Sequence, residues 1–215
     1  MAVTQNTLIG RSRGAVGGTV FSKWKGLNTL RAKPLTVENP QTDAQMAQRD
    51  KMSLMVAAYR NMAPAISVGM IQQAINKSEY NAFTSINLKN TSIAGSYPSF
   101  TIDPEFLEVS KGSLTNTAIA TASCDVSDGD VVVTFSATPV VDQSALDEAY
   151  VVAWNTTLNS FSFSLADATR GDGTVTFPNP AGTVAGNTVV IYLFFYQPTS
   201  GKAGDNAYSS ITAIA

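Results

Sequence analysis

The chain has 215 residues, with 14 Lys and Arg against 16 Asp and Glu, no histidine and one cysteine. Without histidine, the Ser-His-Asp and Cys-His nucleophile arrangements, the commonest general base and every histidine-containing metal site fall away. The lone Cys124 cannot make an intrachain disulfide or a zinc cluster. Charged residues make up 14% of the chain, against roughly 25% in ordinary soluble domains. Small neutral side chains take their place, and these cost little to desolvate against a packing partner.

The formal net charge of −2 hides an asymmetry along the chain. Residues 1–60 carry nine bases against three acids, whereas residues 112–215 carry two bases against nine acids. A basic N-terminal segment therefore precedes an acidic remainder, which suggests an arm that meets a partner of opposite sign.

Residues 1–38 read as a Gly-rich basic arm or hairpin. Thr19–Lys25 and Leu27–Lys33 are short strand-like runs around the Gly26 turn. Apolar groups fall on both faces of such a hairpin, and two strands are marginal alone, so it must lie on something. Its own C-terminal domain and a neighbouring subunit are both open as that support. Phe21 and Trp24 are the large aromatic anchors of the arm. Arg11, Arg13, Arg31 and Arg49 are the bases expected to meet carboxylate or carbonyl partners, since a planar guanidinium holds bidentate geometry.

Residues 39–94 read as helical. Thr42 and Gln45 form a capping box, with Asp43 in the first turn, so a helix is expected from about Asp43 to Met62, stopping before Pro64. A shorter helical piece is expected over Ile66–Lys77, and a third over 79–92. Five of the six methionines fall between Met46 and Met70. An amphipathic helix usually buries such a stripe in its own core, although methionine also suits an interface.

Residues 95–215 read as an antiparallel β-sandwich of immunoglobulin-like size. Strand-like runs are expected at Phe106–Lys111, Leu114–Cys124, Asp130–Ala137, Ala149–Asn155, Ser160–Leu165, Gly173–Phe177, Thr188–Gln197 and Ser209–Ile214, with turn signals between them. The fold class is thus α+β: an extended arm and helices, then the sandwich. Val189–Tyr196 is apolar on both faces. It is either a central strand covered on both sides or a strand whose outer face meets a partner.

The chemistry-bearing motifs have bland readings. Asp125-Val-Ser-Asp-Gly-Asp130 lacks the ligand spacing of a calcium loop and reads as a hairpin turn. Asp147/Glu148 and Asp103/Glu105 are neighbours in sequence and cannot flank a substrate from opposite sides. Gly14-Ala-Val-Gly-Gly18 lacks the Lys-Ser/Thr ending of a phosphate-binding loop. Cys124 reads as a small half-buried packer. No catalytic residue, cofactor or metal ligand is expected.

Gly14 to Gly18, Lys23-Trp-Lys-Gly26, Arg31, Lys33-Pro34, Asn39-Pro40-x-Thr42-x-x-Gln45 and Gln48-Arg49 resemble the N-terminal signature of an uncharacterised family, a domain of unknown function common in Bacteroidota and their phages. The likeness extends to Asn87-Leu-Lys-Asn90, Ser110-Lys-Gly112 and Val190-Ile-Tyr-Leu-Phe-Phe195. The resemblance implies an arm-plus-helix head and a sandwich tail, and no activity. Gly-rich arms with Asn-Pro-x-Thr helices are also similar to those of small phage structural proteins.

The sequence reading is therefore a non-enzymatic, self-associating structural protein, a phage virion component (head or tail) or another ordered assembly. Its expected partners are copies of itself and other structural proteins. The alternatives are a sandwich module that binds glycan or protein, and nucleic-acid binding by the basic arm. Met1–Asn6 lacks a basic n-region and no apolar stretch follows that would cross a membrane. The expected location is the virion, or the cytoplasm if the chain is not phage-encoded.

Overall fold

Two glycine turns fold the basic segment back on itself. Gly17 and Gly26 adopt φ of 56° and 87°, the left-handed backbone that tight hairpins demand. In the computed structural model, which describes residues 2–3, 13–36, 39–89 and 92–215 (the side chains of residues 2, 3 and 24 excepted), the turns join β2 (Gly14–Val16), β3 (Thr19–Trp24) and β4 (Leu27–Ala32). With β1 (Ala2–Val3) they form an antiparallel sheet in the order β1-β4-β3-β2. The hairpin around Gly26 is the one expected, widened by a short strand on each edge. Phe21 lies opposite Leu30, while Val20 lies opposite Arg31 and Ser22 opposite Thr29. Opposed residues share a face, so Phe21 and Arg31 project from opposite faces. The Ser22 and Thr29 hydroxyls are hydrogen-bonded at 2.6 Å.

The chain divides into two compact units, residues 1–42 and 43–215. The larger begins with α1 (Asp43–Gly69), directly after Thr42 as expected. The expected stop before Pro64 is overturned: α1 runs through Pro64 to Gly69. Proline removes one helical hydrogen bond, but Met62, Ala65, Ile66 and Gly69 around it are all buried. Packing of that face outweighs the local break. Met55, Met62 and Met70 join the same core, so this part of the methionine stripe is internal. A 3-10 turn at Ile71–Gln73 replaces the expected second helix. The third helical piece is α2 (Glu79–Asn87), capped by Ser78, whose hydroxyl accepts from the Asn81 amide at 3.3 Å.

The remainder is built of antiparallel strands, giving an α+β fold. A small hairpin, β5 (Ile93–Ser96) with β6 (Ser99–Ile102), follows α2. Strands β7 (Ile119–Asp125), β8 (Asp130–Phe135) and β11 (Thr174–Pro178) form a three-stranded sheet in the order β11-β8-β7. Strands β9 (Glu148–Asn155), β10 (Ser160–Thr169), β12 (Thr188–Gln197), β13 (Lys202–Ala203) and β14 (Ala207–Thr212) form a five-stranded sheet. Its order is β10-β9-β12, with β13 and β14 both paired along the far side of β12.

β12 is the central strand, covered on both sides. Val189, Ile191, Leu193 and Phe195 share a core with Val131, Val133 and Phe135 of β8 and with Val175 and Phe177 of β11. Val190, Tyr192 and Phe194 share another with Met55, Met62, Ile66 and Phe83 of the helices. Period-2 alternation sends successive residues to opposite layers. Burial pushes the Tyr192 phenol up from its ordinary pKa, with Tyr208 adding to the shift; its hydroxyl donates to the Pro104 carbonyl at 2.8 Å.

Residues 106–111 are not the expected strand. A 3-10 turn covers Pro104–Phe106, and the following backbone is held by side chains in place of a strand ladder. Asn87 Oδ1 accepts from the Glu108 amide at 2.8 Å, and Asn206 Oδ1 accepts from the Val109 and Ser110 amides at 2.9 and 3.1 Å. Among the described residues, no helix is long and apolar enough to cross a membrane.

Candidate functional site

Within the N-terminal sheet, the described residues singled out in the sequence do not share one face. Arg13 precedes β2 and is exposed, Arg31 is exposed on β4, and Phe21 is half-buried on the opposite face of that sheet. Trp24 closes β3 opposite Leu27 in register. Arg11 and the Trp24 side chain lie outside the described residues. Arg49 belongs to the other unit, exposed on α1, where its guanidinium lies 3.7 Å from Met46 Sδ. Phe21 and Arg31 thus sit on a sheet that buries very little. Of the described side chains in residues 1–42, only Thr29 is buried; Val16 is 70% exposed.

The acidic motifs resolve into structure. Asp125 Oδ1 accepts from the Ser127 amide at 2.8 Å and the Ser127 hydroxyl at 2.7 Å, closing the β7–β8 turn and holding its carboxyl below the usual range. Asp103 Oδ1 accepts from the Glu105 amide at 3.2 Å at the head of the 3-10 turn. Cys124 is buried; burial, then the Asp125 charge, pushes its thiol up, the reverse of nucleophile activation. Among the described residues no three or more His, Cys, Asp or Glu side chains form a metal-holding cluster.

Two of the resemblance motifs build a clasp. Ser110 Oγ reaches the carbonyls of Gly69 and Gly204 at 3.1 and 2.5 Å, and the Gly112 amide donates to Asp205 at 3.0 Å. Lys111 Nζ bridges Glu108 at 3.2 Å and Asp205 at 3.1 Å. Burial alone would lower the Lys111 ammonium; its hydrogen bonds to Asp205 and Glu108 outweigh that and hold it above its ordinary value. A side chain at Gly112 would run into the Ala203 carbonyl and the Gln72 amide. Asn87 and Ser110-Lys-Gly112 therefore tie the α1–α2 end to the β13–β14 segment. They position elements, with one ammonium shared between two carboxylates.

One group escaped the sequence reading. Arg170, in a segment read only as a turn signal, is fully buried, as is Asp147. Its Nε donates to Asp147 Oδ2 at 3.2 Å, its Nη1 donates to the Thr117 hydroxyl, and the guanidinium lies 3.8 Å over the Phe195 ring. Nη2 has no hydrogen-bond partner among the described residues. Gln197 completes the network by donating to Asp147 Oδ1 at 3.1 Å. Burial pulls the guanidinium down from its ordinary pKa, while Asp147 opposes that shift.

A groove of about 570 Å³ opens on the helical side of the five-stranded sheet. Ala58 and Met62 of α1, Trp154 of β9 and Val190 of β12 form its buried floor. Phe161 stacks on Trp154, with ring centroids 5.6 Å apart and planes at 7°. Phe100 and Tyr208 complete the aromatic walls. The alternation Tyr150/Val152/Trp154 placed Trp154 on a face in the sequence; that this face meets α1 and β6 was not readable, because both contacts are non-local.

The class these features define is an α+β protein in which helices cover one face of a central antiparallel sheet and a smaller sheet covers the other. The chain belongs to the family of unknown function DUF6266, whose model matches residues 11–210. No curated protein matches the chain.

Proposed function

We propose that the protein is a non-enzymatic, self-associating structural protein whose N-terminal sheet docks on a second copy. The observation that carries this reading is the imbalance between the two units. Residues 43–215 enclose two cores, whereas the described part of the N-terminal sheet buries Thr29 alone. A four-stranded sheet gains stability by covering a face, and its exposed edges are templates for pairing.

Charge favours a second copy as the cover. Residues 1–42 carry six bases and one acid, while residues 43–215 carry eight bases and fifteen acids. Arg13, Lys23, Arg31 and Lys33 are exposed on the sheet or beside it, and Asp128, Asp142, Asp167 and Asp172 are exposed on the larger unit. Opposite potentials steer and register such contacts.

On the resemblance to Bacteroidota and phage proteins, we assign the assembly to a phage virion, head or tail, with other structural proteins as further partners. The two facing antiparallel sheets support an immunoglobulin-like sandwich as its outer mass. Nucleic acid is the lesser partner, since the same bases have an acidic counterpart within the protein itself. The test is sedimentation of the full chain and of an Arg31→Glu, Lys33→Glu variant. The variant is expected to sediment as a smaller species than the full chain under the same conditions. An unchanged distribution would place the contact elsewhere.

A further inference from the structure

The groove beneath α1 has a chemistry that self-association does not use. Among the described residues, no Asp, Glu, Lys or Arg lines it. Lys51 Nζ sits 4.9 Å over the Phe100 ring and is not part of the lining. The lining is mostly apolar, with Leu54, Ile102 and Pro104 beside the aromatic rings, and carries uncharged hydrogen-bonding groups: Asn61 from α1, Asn159 from the β9–β10 turn, Thr188 from β12 and Ser210 from β14. Asn159 Oδ1 accepts from Trp154 Nε1 at 3.1 Å. That bond fixes which way the amide points and leaves its NH2 to donate elsewhere. Tyr208, 36% exposed, stands at the rim with its ring tilted 49° against Tyr192.

An ionic ligand would lose its hydration here and find no charged group among the described lining residues, the nearby Lys51 ammonium lying over Phe100. An acyl chain would lie against amide and hydroxyl groups and strip them of water without replacing their hydrogen bonds. A sugar ring suits both features of the lining. Its C–H face packs on Phe161 or Tyr208, and its hydroxyl edge meets Asn61, Asn159, Thr188 and Ser210. A volume of about 570 Å³ lies within the usual span of ligand sites, roughly 300–1,000 Å³. From this pairing of aromatic walls with an uncharged polar rim, we propose that the groove is a binding site for a neutral oligosaccharide.

The chain has two tryptophans, so Trp24→Phe leaves Trp154 as the single fluorescent reporter in the groove. This variant is titrated with cellohexaose, xylohexaose and maltohexaose, and separately with laurate. A saturable change in Trp154 emission is expected with at least one of the hexasaccharides. Tyr208→Ala and Ser210→Ala should each weaken that binding by about tenfold or more. Asn159→Gly, which keeps the left-handed turn at φ 53°, should do the same. Thermal melting of each variant separates lost binding from a lost fold. No saturable change with any of the three sugars up to about 10 mM, or saturation by laurate in their place, would overturn the proposal.

Discussion

At the scale of single residues, the buried Arg170–Asp147 pair is the most demanding feature. Two charges leave water completely, and one guanidinium nitrogen finds no hydrogen-bond partner among the described residues. Removing either charge alone strands the other. Asp147→Ala is therefore expected to lose about 3–5 kcal/mol of stability, and the double change Asp147→Leu with Arg170→Met to lose less than Asp147→Ala. Urea denaturation of the three proteins checks this; a single variant no worse than the double would contradict the pairing. Cys124 was readable as a packing residue because its neighbours alternate as a strand. Arg170 was not, because its partners Asp147, Thr117 and Phe195 come from distant positions in the chain, and local sequence carries no trace of them.

Elements were legible where their own pattern settled them. The runs at Asp130–Ala137, Ala149–Asn155 and Thr188–Gln197 announced strands, and β12 resolved its two-sided apolarity by lying between two layers. Pro64 misled, since a helix break inferred locally yields to the burial of Met62, Ala65 and Ile66. The segment 106–111 misled for the converse reason: β-like composition without a neighbouring strand, its amides taken up by Asn87 and Asn206. The clasp at Gly112 gives a direct check. Gly112→Ala pushes a methyl group into backbone and into Gln72, and is expected to cost about 3 kcal/mol or more. Gly129→Ala places its methyl in open space, although at φ 78°, and should cost roughly 1 kcal/mol. Thermal melts showing equal losses would mean that the clasp is not closely packed.

For the whole molecule, the charge asymmetry was plain in the sequence as a basic excess over residues 1–60, of which six of the nine bases fall in the unit that ends at residue 42. The width of the N-terminal sheet was less plain, because β2 is a three-residue strand and β1 has two residues, too short for any period to register. The larger unit is self-sufficient. Its most apolar run, Val189–Tyr196, is enclosed within it from Val189 to Phe195, with Tyr196 half-buried. The basic sheet, by contrast, buries only Thr29 among its described side chains. Light scattering of the full chain and of residues 39–215 tests this most directly. The account predicts an oligomer for the full chain and a folded monomer after the first 38 residues are removed. A truncated protein that keeps the same oligomeric mass, or a full chain that is already monomeric, would contradict it.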